Sequence, residues 1–244
     1  MSGPVIDSDT PLSKGRASGY HTHALGTPEQ GRGDISQYRA HLADDMAHAA
    51  VLADKVKFCN AYFPTPGNPT PNKPKPVLDK NPFANLAKLD KFKGNEAMIQ
   101  AEFVNAVNEH NLIPGLVLRV CSNRPDGISV DPSQQKVDAA WYFEHEAKGT
   151  GKQEWGDQAI PVEFKGDETG GDPYDETKEN ISTETKTRKG ARGQMISYAE
   201  ILHAVQQRTA LFMLIVTGKR ARFTRWDRSG TVVTQSFNYV DEWQ

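Results

Sequence analysis

Cysteine is nearly absent from this 244-residue chain: only Cys59 and Cys121 occur, in no CxxC pair. That excludes a disulfide framework or a thiolate zinc site and sets the expectation of a reducing compartment. No stretch of 18 apolar residues exists, and MSGPVIDSDT lacks the charged-then-apolar order of a signal peptide. The expectation is therefore an intracellular protein, cytoplasmic or nuclear, with no membrane partner. Strong net charge is missing too. At −2 overall, the chain is not marked as a partner of acids or bases by bulk electrostatics. Apolar residues make up 37% and mean hydropathy is −0.64, too polar for a fully packed protein of this length. A core of roughly 150 residues with disordered flanks follows. The sequence also contains no GxGxxG loop, no HRD and no DFG, so it carries no protein-kinase active site of its own.

What is present falls into segments. Residues 1–33 are rich in Gly, Ser, Thr and Pro and read as a disordered tail. From Asp34, a plausible N-cap, to Phe63, apolar residues recur at spacings of three and four and predict one peripheral helix. Residues 64–94 open with seven prolines between Pro64 and Pro82 and read as an extended linker. An α/β core domain is expected over 95–244. Its parts are a helix from Asn95 to about Asn111, strands at 116–121, 136–143 and 159–165, a helix at 192–208, and a continuously apolar strand at 209–218. The hairpin 220–227/231–239 turns at Asp-Arg-Ser-Gly. The polar stretch 166–191 is expected to be a disordered insertion. The order is helix, three strands, helix, strands, which gives an α/β sheet with helices on its faces.

Chemistry concentrates in two strands. Asp138 is placed in the second, and Glu163 and Lys165 lie two apart in the third, hence on one face. Two carboxylates on neighbouring strands make a hard-oxygen site suited to Mg²⁺, with a lysine nearby to orient water or stabilise phosphate charge. Glu96, seven residues and about two turns before Phe103, continues the helix stripe and can point at the same place, giving Glu96, Asp138 and Glu163 as candidate metal ligands. Gln194 and Tyr198, spaced i and i+4, share a face of the following helix. Residues 185–228 hold ten basic side chains against two acidic ones, Glu200 and Asp227. That excess fits either a polyanion or a solvated surface. Arg220, Arg222, Arg225 and Arg228 are the candidate docking residues for nucleic acid or protein, and edge charges that discourage sheet aggregation are the equally open alternative.

The set Asp138…Glu163-x-Lys165…Gln194-xxx-Tyr198 resembles the restriction-endonuclease-like fold, especially RecB-type exonucleases. The resemblance implies carboxylates that bind metal, and a Gln and Tyr beside it that contact DNA. The other possibility is that Asp138, Glu163 and Lys165 form a structural ion-pair cluster in an inactive descendant. Independently, VDAAWY, IPVEFK, RGQMISYAE, QQRTALFMLIVTGKRARFTRWDRSGTVV and SFNYVDEW, over half the chain, resemble the region that precedes the kinase domain in the fungal-type protein kinase family expanded in mushrooms. This likeness implies a kinase-associated module, truncated from or paralogous to a longer kinase, that acts in binding or regulation on a kinase domain or another protein. The VEFK segment matches a kinase VAIK strand only superficially. No glycine loop precedes it, and Glu200 lies far beyond Lys165 through a polar stretch. The enzyme alternative is a Mg²⁺-dependent nuclease using Asp138, Glu163 and Lys165, and a third reading is a nucleic-acid binder without hydrolysis.

Overall fold

A computed structural model describes residues 35–63, 78–88, 95–121, 134–145, 155–166, 170–182 and 185–243. Asp34 and the expected tail at 1–33 lie outside these residues, as does most of the proline-rich stretch.

The described elements form a mixed α/β structure around one sheet. Helices α1 (Ile35–Asp45), α2 (Lys55–Tyr62), α3 (Ala84–Ala87), α4 (Glu96–Glu109) and α5 (Lys186–Gln206) accompany strands β1 (Ala50–Ala53), β2 (Leu116–Val120), β3 (Ala139–Phe143), β4 (Ile160–Lys165), β5 (Leu211–Thr217), β6 (Arg220–Asp227), β7 (Gly230–Thr234) and β8 (Phe237–Asn238). The sheet order is β1-β7-β6-β5-β4-β3-β2, with β8 added beside β6. Strands β2, β3 and β4 form an antiparallel meander. The chain then crosses by way of α5 to β5, which runs parallel to β4, as a parallel pair requires a long connection.

β5 explains the two-sided architecture. Every residue from Met213 to Thr217 is buried. Leu211, Met213 and Ile215 join one core with α1 and α5, while Leu214 and Val216 join a second core with α3 and α4. A strand covered on both faces loses the apolar/polar alternation of a half-solvated one. In the second core Phe103 of α4 is the hub, with its ring 5.4 Å from Phe83, 5.5 Å from Phe164 and 5.2 Å from Tyr239. Asn95 caps α4, its side chain accepting the Met98 N–H at 3.2 Å.

Three expectations are corrected. The single helix over 34–63 is broken into α1, β1 and α2. The alanine-rich centre has good helical propensity, but β1 pairs in parallel with β7, and the flanking bonds Thr231 N–H to Ala49 O and Gln235 N–H to Ala53 O extend the ladder. Satisfying the open edge of β7 outweighs local preference. Gly230 permits the approach, since a Cβ there would stand 2.2 Å from the Ala49 carbonyl oxygen. The linker assignment for 64–94 also fails in part, because Phe83 and Leu86 are core residues. The insertion at 166–191 is largely ordered where it is described. Asp172, Tyr174, Ile181 and Ser182 are buried, Tyr174 bridges to Ser182, and α5 begins at Lys186, six residues ahead of its expected start. Charge on the outward side chains hid a strap whose inward residues pack. No described helix is long and apolar enough to cross a membrane.

A candidate acid–lysine site at the end of strand β4

The site forms where β3 begins and β4 ends. Asp138 lies one residue ahead of β3 rather than inside it, as the sequence had suggested. The pairs Ala139↔Val162 and Ala140↔Pro161 set the register, and one further step outward sets Asp138 across from Glu163. Lys165 lies one pleat beyond Glu163 on the same face. That face is the α5 side, because Glu163 neighbours Ile215 on β5 and Ile215 belongs to the core shared with α1 and α5.

Polar contacts hold the cluster. Lys165 Nζ donates to Glu163 Oε1 at 2.5 Å. Asp138 Oδ2 accepts the Phe164 N–H at 2.8 Å. The Asp138 carbonyl accepts both the Cys121 N–H at 2.9 Å and Gln100 Nε2 at 2.8 Å, so β2 and α4 fix its backbone from two sides. The Glu96 carboxylate accepts the Gly166 N–H and lies within electrostatic reach of Lys165 and Asp138. All four residues singled out from sequence thus meet in one neighbourhood.

Burial sets the electrostatics. Glu163 is 3% exposed, and its Oε2 has no hydrogen-bond partner. Burial, reinforced by the Asp138 charge and opposed by Lys165, pushes its carboxyl up to about 8. Glu96 is also raised, chiefly by burial, with Lys165 pulling it back and Asp138 adding to the rise. For Lys165, burial works against the ammonium, but Glu163, Asp138 and Glu96 together more than offset it, so its pKa lies above the ordinary lysine value. At neutral pH Glu163 retains its proton beside a charged lysine, because burial and a neighbouring like charge both disfavour its ionised form.

The donor set fits some metal sites and not others. Among the described residues no group of three or more His, Cys, Asp and Glu side chains is arranged to hold a metal ion. A closed cage built from Glu96, Asp138 and Glu163 is therefore not formed, and Glu96 does not complete a three-carboxylate site as expected. A hydrated Mg²⁺ uses only one or two carboxylates and keeps several waters. Asp138 and the partnerless Glu163 Oε2 suit that mode.

Gln194 and Tyr198 are engaged within the fold, Gln194 half-buried and Tyr198 buried. Tyr198 is 2% exposed. Its hydroxyl donates to the Lys136 carbonyl at 2.5 Å and accepts from Gln194 Nε2 at 2.6 Å. Burial, then the Glu163 charge, holds the phenol well above its ordinary value. The pair braces the lead-in to Asp138 from α5. Ser197 adds a bond to Gln135 Oε1 at 2.7 Å. Sequence reasoning overlooked Gln100, Gln135 and Arg39. Gln100 lies one turn after Glu96 at i+4, a spacing that could have found it, whereas the other two carry no local signal.

The arginine row is also corrected. β6 is an interior strand between β5 and β7, so its charges do not guard a sheet edge, and three of the four arginines make contacts within the fold. Arg222 is buried and paired with Asp172 at 2.8 Å and Glu176 at 3.1 Å, and it donates to the Thr234 carbonyl at 2.8 Å. Arg220 binds the Ser236 hydroxyl and carbonyl, each at 2.6 Å. Arg225 pairs with Asp227 at 2.6 Å and lies over the Tyr62 ring. Arg228 alone of the four is exposed, at the hairpin turn. Much of the 185–228 basic excess is spent inside the fold, since Arg192 is buried and Arg208 donates to the Ala159 and Gln158 carbonyls.

Comparison with known proteins found no matching family model, no matching curated protein and no matching solved structure.

Proposed function

We propose that this chain is a Mg²⁺-dependent phosphodiester hydrolase, a nuclease of restriction-endonuclease-like architecture. The observation that carries the reading is the meeting of Asp138 and Glu163 in one register, with the buried Glu163 Oε2 unpartnered and Lys165 against its other oxygen. The succession α4, β2, β3, β4, α5, β5, with β5 parallel to β4, supports it.

The metal would polarise a phosphoryl oxygen and lower the pKa of a bound water. Asp138 and Glu163 would hold it through one oxygen each. Lys165, charged throughout the physiological range, would orient the attacking water or stabilise the extra negative charge of the transition state. Glu96 would keep Lys165 protonated. Because Glu163 must shed its proton to ligate, metal affinity rises with pH up to about 8. Incubation of the folded protein with single- and double-stranded DNA and RNA in Mg²⁺ or Mn²⁺ tests this. Cleavage that disappears in Glu163→Ala and Lys165→Ala is expected, and no cleavage of any of these substrates overturns it.

A second reading is favoured by where the fungal-type kinase resemblance falls. Its blocks coincide with β3, β4, α5 and the β5–β7 run, the elements that build the core and the site. On this reading the chain is a kinase-associated regulatory module whose acid–lysine cluster is structural. It should then co-purify with a kinase domain of that family, with an interaction unaffected by Glu163→Gln.

A further inference from the structure

We infer that Arg39, on the N-terminal helix α1, is a phosphate-binding residue that receives the strand of a single-stranded nucleic acid next to the acid–lysine site. The inference rests on the hydrolase reading for its substrate class.

Helix α1 is locked to the helix bordering the site. A Cβ at Gly193 would stand 2.0 Å from the Arg39 carbonyl oxygen, so α1 and α5 cross with backbone nearly touching backbone. That crossing delivers the Arg39 side chain to the lead-in of Asp138. Its Nη2 and Nε donate to Gln135 Oε1 at 2.8 and 3.2 Å, and its guanidinium carbon lies 5.7 Å from the Tyr198 ring centroid. Among the described residues its Nη1 meets no acceptor, and the side chain is half-buried. A guanidinium oriented by an amide oxygen and a ring face, with donors left over, is preorganised for a phosphate. Among the described residues no carboxylate pairs with it, in contrast to Arg222 and Arg225.

Position supplies the second argument. Gln135 is three residues before Asp138, about 10 Å of extended chain at most. Tyr198 ties the two together, since its ring lies beside the Arg39 guanidinium and its hydroxyl holds the Lys136 carbonyl two residues ahead of Asp138. A polymer with one phosphate at the acid–lysine cluster would lay a neighbouring phosphate within reach of Arg39. The recess favours a single strand. Glu163 is 3% exposed and the Lys165 side chain 22%, so the phosphate must enter a cleft, which a flexible strand does more readily than a duplex with a persistence length of about 150 bp.

The experiment is fluorescence anisotropy with a fluorescein-labelled oligodeoxythymidylate over a series of salt concentrations, in EDTA and in Ca²⁺. It compares the wild type with Arg39→Gln, Arg39→Lys and Glu163→Gln. Arg39→Gln is expected to weaken binding roughly three- to tenfold at low salt and to reduce the slope of log affinity against log salt by about 0.7, the value of one single-strand phosphate contact. Arg39→Lys should restore the slope, because it keeps the charge while losing the fork to Gln135, and Arg39→Met, which removes the charge but keeps an unbranched side chain, carries the test if Arg39→Gln does not fold. Absence of binding by the wild type, an unchanged slope in Arg39→Gln, or equal loss in the Lys and Gln variants overturns the inference. Glu163→Gln separates the two proposals. Lost cleavage with an intact Arg39-dependent slope supports both. Retained cleavage in Glu163→Gln overturns the hydrolase reading while the slope still reports on Arg39.

Discussion

Replacing Glu163 by glutamine should stabilise the protein, and by more as pH rises. In the folded chain its carboxyl titrates near 8 against a reference of 4.5, chiefly because burial disfavours the ion and Asp138 faces it. A folded-state pKa above the unfolded one means that the native state holds a proton the unfolded state gives up. The associated stability is complete below pH 4.5 and is lost progressively until pH 8. The full span of about 3.5 units corresponds to at most about 5 kcal/mol at 1.36 kcal/mol per unit. Relaxation and water penetration in real proteins cut such values severalfold, leaving about 1–2 kcal/mol between pH 5.5 and 8.5. Glutamine keeps the shape and carries no charge to bury at a position where Oε2 now has no partner. Lys165 loses one acid but retains Asp138 and Glu96 as counter-charges. Urea unfolding of both proteins at pH 5.5, 6.5, 7.5 and 8.5 measures the effect. The gap in unfolding free energy should open with pH and level off above 8. Parallel stability curves, or a glutamine variant that is less stable at pH 8.5, would refute the electrostatic account. A buried acid whose removal stabilises the fold is not kept for stability.

Other outcomes follow from the same geometry. Gly193→Ala should destabilise by about 2–3 kcal/mol or undock α1, because the new methyl meets the Arg39 backbone, and limited proteolysis near residues 45–50 would reveal it. Arg222→Ala should cost about 3–5 kcal/mol by stranding buried Asp172, read in thermal or urea melts; replacing Arg222 and Asp172 together with apolar residues should cost less. Cys121, whose thiol burial pushes up to about 12, should resist alkylation in the native state, while partly exposed Cys59 reacts. Phe103→Ala should lose about 3–5 kcal/mol at the aromatic hub.

Much of the core was legible because its signals are local. Strong periodicity marked α4 and the body of α5, unbroken hydrophobicity marked β5 as a doubly covered strand, and Asp-Arg-Ser-Gly marked the β6–β7 turn. The Glu163-x-Lys165 spacing put both side chains on one face of β4 by pleat alone. Contacts made at long range were not legible. Nothing between Ala47 and Ala53 announces a strand, since its partner β7 lies some 180 residues away. The outward charges of 170–182 masked the buried Asp172–Arg222 pair. Arg220, Arg222 and Arg225, which read equally as docking residues or as edge charges, sit in an interior strand, a property of sheet order and not of alternation.

The amino-acid order thus determined which residues could carry chemistry: two acids, a lysine and a helix glutamate at spacings that the pleat and the helical turn convert into common faces. Tertiary structure decided how they are used. It set Asp138 opposite Glu163 through the β3–β4 register, buried Glu163 deeply enough to hold its proton, and turned Gln194 and Tyr198 inward as braces. It also brought Arg39 from a distant helix to the same neighbourhood. Periodicity is a property of neighbours along the chain, whereas burial, register and desolvation depend on which distant segments close over a residue.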